Sequence, residues 1–308
     1  MDYEITIIGG GPAGLSAAIY SARSLVKVAL LEKGLCGGQA ATTDLIENYP
    51  GFPEGISGME LMDMFLKQAE RFGAEIITSA EVKSIKESDG GFILDLGERK
   101  ITSSAVIYCA GRSSLKLDVK GEEEFFGRGV SYCATCDGAL FRNKDVAVVG
   151  GGDSAIEEAL FLTRFADSVT IIHRRDELRA TKILQKRAFE NPKISFELGA
   201  VLEEISGERF VESVKVKQLK SNLLKNINVN GVFIYIGYKP NSELLINMVE
   251  LDDKGYIIAD SNCSTSQSGI YAAGDIRKSD LKQVVTSVSD GAVAAISALK
   301  YLEILKGK

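Results

Sequence analysis

Histidine is nearly missing from this chain: His173 is the only one among 308 residues. A Ser-His-Asp triad, a Cys-His pair or a His-rich metal site would each have to be built on that one side chain. Basic residues are also short, 36 Lys and Arg against 42 Asp and Glu, giving a net charge of −6 and a pI near 5.2. A protein that lives on a phosphate backbone shows a basic face, so nucleic acid is not expected as the main partner. No apolar run approaches the roughly 18 residues that would span a bilayer, so no membrane role is expected. A strand-like run starts at Glu4, so no signal peptide is expected and the cytoplasm is the expected compartment. Five cysteines, an odd count, do not make a disulfide scaffold.

What is present is an ordinary globular balance, 45% apolar and 25% charged, with 31 glycines and only 5 prolines. At about 150 residues per domain the length predicts two domains. Strand-like runs alternate with helical spacing: 3–8, a helix over 12–23, then 26–32. A helix is predicted over 56–72, strands at 74–85, 92–96 and 100–102, and a closing run at 104–111. The pattern then restarts with a strand at 145–149, a helix at 153–165 and a strand at 168–173. A helix around 176–189 and strand-like stretches at 194–198, 210–217 and 227–229 follow, closed by 231–238. Gly9 and Gly150 are about 141 positions apart, and the same step carries Glu32 onto His173 without a gap. A duplicated β-α-β unit follows. The tail, with a last helix near 290–305, is expected to return and complete the first unit.

Both copies carry a glycine fingerprint. In G-G-G-P-A-G (9–14), Gly9 allows the tight turn, Gly11 lets a pyrophosphate approach the backbone, and Gly14 lets helix and strand pack closely. The helix start supplies free N–H groups for the anion. Glu32, ending the next strand, can accept hydrogen bonds from ribose hydroxyls. The second copy reads G-G-G-D-S-A, with Gly150, Gly152 and Ala155 in the three key places. Where the first copy has Glu32, this one has His173-Arg174-Arg175, with Arg179 a turn later. Arginine grips a 2′-phosphate that a carboxylate would repel, so this copy is expected to take NADP rather than NAD. The blander alternatives are a plain glycine turn and an exposed basic patch.

Between the copies lies C-A-T-C-D (133–137). Zinc needs four ligands, and no second C-x-x-C or free histidine offers them, so no metal site is expected. A structural disulfide does not suit the expected compartment, which leaves a redox-active dithiol. Asp137 is the nearest carboxylate able to carry its protons, unless it is only a turn residue before Gly138. Cys36, Cys109 and Cys263 are expected to be free thiols.

Two dinucleotide folds with C-x-x-C inside the second closely resemble the low-molecular-weight thioredoxin reductases, the class II pyridine nucleotide-disulfide oxidoreductases. Beside the segments above, the match rests on G-G-Q (37–39), E-N-Y-P-G (47–51), A-A-G-D (272–275) and K-Q-V-V-T-S (282–287), over essentially the whole chain. The resemblance implies an α/β fold of two Rossmann-like dinucleotide-binding domains, the second inserted in the first. It implies an FAD domain from 1–112 and 243–308, and an NADPH domain from 113–242 that carries the cysteine pair. FAD would be held by Gly9, Gly11, Pro12, Ala13, Gly14, Glu32, Gly38, Gln39, Asn48, Gly274, Asp275, Lys282, Gln283 and Val284. NADPH would be held by Gly150, Gly152, Asp153, Ser154, Ala155, His173, Arg174, Arg175 and Arg179. Cys133 and Cys136, with Asp137, would pass electrons to thioredoxin or a small thioredoxin-like protein, with Cys136 nearer the flavin, in a homodimer. Two departures stand out. Ala139 and Leu140 replace a frequent aromatic pair, and Lys282 replaces the usual Arg. The rival readings are a flavin-dependent dithiol oxidase, a ferredoxin- or flavodoxin-NADP reductase of the same fold, and a non-catalytic redox sensor. Since dithiol and nicotinamide would share one domain, that domain is expected to swing about the crossings near 111–113 and 239–241.

Overall fold

The first strand, β1 (Tyr3–Ile8), is buried along almost its whole length, as a parallel strand covered on both faces must be. The structure, a computed structural model, describes residues 1–43 and 45–307. Helix α1 (Pro12–Arg23) starts with proline in its first turn, where the missing N–H costs nothing. Strand β2 (Val28–Leu31) runs parallel to β1, with Ile5 opposite Val28. Helix α2 (Gly58–Arg71) buries Leu61, Met62 and Ala69, and β3 (Glu75–Ile77) extends the sheet beside β2.

The predicted strand 74–85 is in fact two pieces, β3 and β4 (Ser84–Ser88). The latter pairs antiparallel with β5 (Gly91–Asp95). The runs predicted separately at 100–102 and 104–111 form one strand, β6 (Lys100–Tyr108). Its first half pairs antiparallel with β5 and its second half parallel with β1, so one strand has two kinds of neighbour and two hydrophobic patterns.

The chain leaves through β7 (Arg112–Ser114) and builds a second unit. Its elements are β8 (Val130–Ser131), the single turn α3 (Ala134–Asp137), β9 (Asp145–Gly150), α4 (Asp153–Leu162) and β10 (Ser168–His173). Helix α5 (Lys182–Phe189) starts six residues after the predicted 176. Residues 174–181 instead fold back: the N–H groups of Arg179 and Ala180 both donate to the Gly151 carbonyl, at 2.7 and 3.1 Å. Strand β11 (Ile194–Leu198) then leads into an antiparallel sheet of β12 (Ala200–Ser206), β13 (Ser213–Gln218) and β14 (Leu224–Asn228). Strand β15 (Gly231–Tyr235) completes an all-parallel five-stranded sheet in the order β11-β10-β9-β15-β8.

Strand β16 (Tyr238–Pro240) pairs with β7, so the outgoing and returning chains run side by side. The tail adds β17 (Ile270–Ala272) parallel to the second half of β6. It ends in α6 (Val284–Lys306), longer than predicted. Helix α6 lies on α1 through small residues: a Cβ on Gly291 would meet the Ala13 carbonyl at 2.1 Å. Contacts divide the chain into Met1–Ser113 with Lys239–Lys308, and Ser114–Tyr238.

The two β-α-β copies agree in detail. Helices α1 and α4 start about 141 positions apart, at Pro12 and Asp153. Gly9 has φ +104° and a Cβ there would lie 2.4 Å from the Cys109 carbonyl; Gly150 has φ +149° and its Cβ would lie 2.3 Å from that of Tyr235. Each glycine thus lets one turn press against the strand next to its own.

Candidate active site

In the first unit, two distant segments meet the start of α1, and two others meet each other. The Gly37 N–H donates to the Gly10 carbonyl at 2.8 Å, and a Cβ on Gly38 would lie 3.1 Å from Gly11 Cα. A Cβ on Gly274 would lie 2.9 Å from that of Ala13. Asn48 Nδ2 donates to Gln283 Oε1 at 3.1 Å, across 235 positions, beside Val284 at the start of α6. Of the residues assigned to FAD, Gly38 and Gly274 therefore stand against the start of α1, and Asn48 and Gln283 stand against each other.

That N-terminus suits a dinucleotide. No side chain caps α1 at Gly11, and a Cβ at Gly11 would find its nearest neighbour only at 3.9 Å. The N–H groups and positive dipole end here carry no side-chain cap, which is what a pyrophosphate needs. Glu32 accepts the Gly10 N–H at 2.7 Å and the Gly34 N–H at 2.9 Å. A carboxylate has about four acceptor positions, so it keeps capacity for ribose hydroxyls. Lys282 turns another way: its Nζ donates to the carbonyls of Asp275 and Arg277, at 3.1 and 2.8 Å, and lies 4.2 Å from the Tyr256 ring centroid. It braces the turn that presents Asp275. By these contacts the residues fit FAD. Gly14→Ala is expected to leave a protein without bound flavin, measured by its absorbance after purification. A Cβ there would lie 1.8 Å from the Gly9 carbonyl, so α1 would have to leave the turn.

In the second unit, α4 is likewise uncapped at Gly152. Arg174, Arg175 and Arg179 are exposed, and Arg179 Nη2 lies 4.0 Å from where a Gly152 Cβ would be. Asp153 is engaged, its Oδ1 accepting the Thr181 N–H at 2.6 Å. It pins the folded-back segment that places Arg179. His173 is buried, and its Nε2 has no partner among the described residues. Burial first, then the charges of Arg179, Arg175 and Arg174, push its pKa below the ordinary 6.5. An orphaned nitrogen beside three cations and an uncapped helix fits a phosphate-bearing nucleotide.

The redox turn lies in the same unit. Cys133 and Cys136 form a disulfide, with Cys133 half-buried and Cys136 exposed. The Cys136 N–H donates to Cys133 Sγ at 3.1 Å. Sequence reasoning missed the residues that hold this turn. Ser131 is buried; its hydroxyl donates to Asp137 Oδ2 at 2.6 Å and accepts the Cys133 N–H at 3.0 Å. Asp137 is thus tied, through Ser131, to the Cys133 backbone. The Tyr235 hydroxyl accepts the Ala134 N–H at 2.7 Å, and burial pushes its pKa up, so it stays neutral. A side chain on Gly138 would press on Phe161 and Leu162. Leu140 stands 70% exposed, whereas Phe141 packs inward on Phe233 and does not replace the missing aromatic pair. No sequence signal links positions 134 and 235; the sheet order does.

Cys36, Cys109 and Cys263 are free. Burial raises all three, Cys36 and Cys263 to about 11, so they remain protonated near neutral pH. Exchange needs a thiolate, and these three are poor candidates for it. Among the described residues no cluster of three or more His, Cys, Asp or Glu could hold a metal, and no helix is long and apolar enough to cross a membrane.

Residues 3–291 match the pyridine nucleotide-disulphide oxidoreductase family. The chain is 45% identical to the thioredoxin reductase of Treponema pallidum, covering 99% of each chain. It is 44% identical to that of Listeria monocytogenes, over 99% of this chain and 95% of the relative. The crystal structure of Lactococcus lactis thioredoxin reductase superposes with a TM-score of 0.95 at 44% identity, covering 98% of this chain and 99% of the other.

Proposed function

The chain belongs to the pyridine nucleotide-disulphide oxidoreductases and, within them, to the thioredoxin reductases, and from that premise we propose how its own residues pass electrons from NADPH through FAD to thioredoxin. The observation that carries the reading is the Cys133–Cys136 disulfide on the unit that also bears the arginine-flanked glycine turn. These relatives do not favour a dithiol oxidase or a ferredoxin- or flavodoxin-NADP reductase. Assembly as a homodimer in the cytoplasm belongs to the same proposal and is tested by light scattering and cell fractionation.

FAD when bound supplies a two-electron relay between NADPH and the disulfide. The first glycine turn, with Glu32, Gln39, Asn48, Asp275 and Gln283, holds and orients it. The second turn, with Ser154 and the arginines, holds NADPH. Two electrons and two protons convert the Cys133–Cys136 disulfide to a dithiol, with Cys136 as the cysteine on the flavin side. Asp137, fixed by Ser131, carries a proton at the sulfur. One thiolate attacks the partner disulfide, whose S–S bond breaks as a mixed disulfide forms. The second cysteine then displaces the partner, which leaves with two thiols, and the Cys133–Cys136 bond is restored. NADPH oxidation with a panel of disulfide proteins, with NADH as control, tests the assignment. Failure to reduce thioredoxin while another disulfide protein is reduced would reassign the substrate.

His173 gives an independent check. In the free protein its NMR titration midpoint is expected below 6.5, and NADP+ is expected to raise it, because an added phosphate opposes the three arginines. The lowered pKa also sets a sign for stability. Folded protein binds fewer protons than unfolded, so stability falls as pH drops through 6.5 and levels off below the folded-state value. Urea midpoints across that window measure it; a midpoint that rises toward acid would refute the reading.

A further inference from the structure

Arg112 opens β7, the strand by which the chain leaves its first unit, and two residues assigned to the flavin bear directly on it. Its Nε lies 2.8 Å from Asp275 Oδ2 in an ion pair whose side chains are only 20% and 21% exposed. Its carbonyl accepts a hydrogen bond of 2.5 Å from Gln39 Nε2. The other Asp275 oxygen accepts from the Ser287 hydroxyl at 3.3 Å. Next to Arg112, Asn241 ties the outgoing and returning chains together. Its N–H donates to the Gly111 carbonyl at 3.0 Å and its Nδ2 to that of Ala110 at 2.8 Å. Its Oδ1 accepts from the Ser113 hydroxyl and its carbonyl from the Tyr108 hydroxyl, both at 2.7 Å. The base of the connection is therefore fixed, and the Arg112 side chain reaches from it to Asp275.

We propose that Arg112 is a positioning residue of that site: it holds the Asp275 carboxylate and, through its carbonyl, Gln39, so that FAD binding and ordering of the connection are coupled. The proposal rests on the reading that the first unit binds FAD. A carboxylate already held in one orientation accepts a ligand hydroxyl with less ordering cost. By linkage, whatever FAD gains from an ordered connection, the connection gains in order from FAD, by the same factor. A guanidinium suits the role because its nitrogens form a rigid planar fork, which an ammonium lacks.

The test uses full-length apoprotein of the wild type, Arg112→Ala, Arg112→Lys, Asp275→Asn and the Arg112→Ala/Asp275→Asn double variant. FAD affinity is read by flavin fluorescence, and amide hydrogen exchange is followed with and without FAD. Arg112→Ala is expected to weaken FAD by about tenfold or more, since it strands a partly buried carboxylate, with partial recovery in Arg112→Lys. The double variant is expected to bind no worse than the weaker single variant, because both changes remove one pair. FAD is expected to protect the Asn241 amide in the wild type and to protect it less in Arg112→Ala. FAD affinity of Arg112→Ala within about twofold of wild type, or simple addition of the two single effects, would overturn the proposal. If Arg112→Ala does not fold, as judged by apoprotein melting, Arg112→Lys carries the test: unchanged affinity and unchanged Asn241 protection overturn it. A wild-type chain that binds no FAD would instead overturn the flavoprotein reading on which it rests.

Discussion

Cys136→Ser is expected to remain yellow and to be bleached by NADPH, yet to lose reduction of protein disulfides by roughly a thousandfold or more. In the proposed reading, flavin reduction depends on the two glycine turns and the arginines, none of which this change alters. Disulfide exchange needs two sulfurs: one to attack and one to displace the partner. Serine supplies neither a comparable nucleophile nor a bond to Cys133. Cys136 is exposed at the last turn of a short helix, so the substitution leaves the packed core alone. Stopped-flow absorbance separates the half-reactions, and steady-state thioredoxin reduction measures the whole. A variant that reduces its protein substrate near the wild-type rate would refute the dithiol assignment, since the three remaining thiols outside the pair are buried or raised in pKa.

The duplicated unit was legible because its signals are local. A glycine fingerprint and the strand after it lie within about thirty residues, so spacing alone registers Gly9 on Gly150 and Glu32 on His173. The redox pair was legible for the same reason. The contacts that assemble the site were not. Asn48 meets Gln283, Arg112 meets Asp275, and Ala134 meets Tyr235 across more than a hundred positions, through strand order that no local pattern encodes. The resemblance supplied Asn48, Gln283 and Asp275, but it named neither Arg112 nor Ser131. Helix α5 shows tertiary structure overriding local preference. Helical spacing begins near 176, yet Gly151 and Asp153 capture the backbone of 179–181 and hold the chain out of the helix. In β6 the misreading ran the other way: a change of neighbour from β5 to β1 looked like a break in a continuous strand.

The same capture sets up the second large effect. Arg174→Ala with Arg175→Ala is expected to raise the NADPH KM at least about tenfold and to leave NADH nearly unchanged. The two residues follow directly on β10, in the place that Glu32 takes after β2, where a nucleotide bound at the glycine turn presents its ribose. Each charge-assisted contact to a 2′-phosphate is worth about 1.5–3 kcal/mol, so two of them give on the order of 10² to 10⁴ in preference for NADPH over NADH. Screening at these exposed side chains places the outcome toward the lower figure, and added salt should lower it further. Arg179 remains in the double variant, tied through its own N–H to Gly151, which is why some preference should survive. The measurement is kcat/KM for both nucleotides at two ionic strengths. An equal loss for NADPH and NADH would show that the arginines shape the segment rather than read the phosphate. No loss for either would place the phosphate elsewhere.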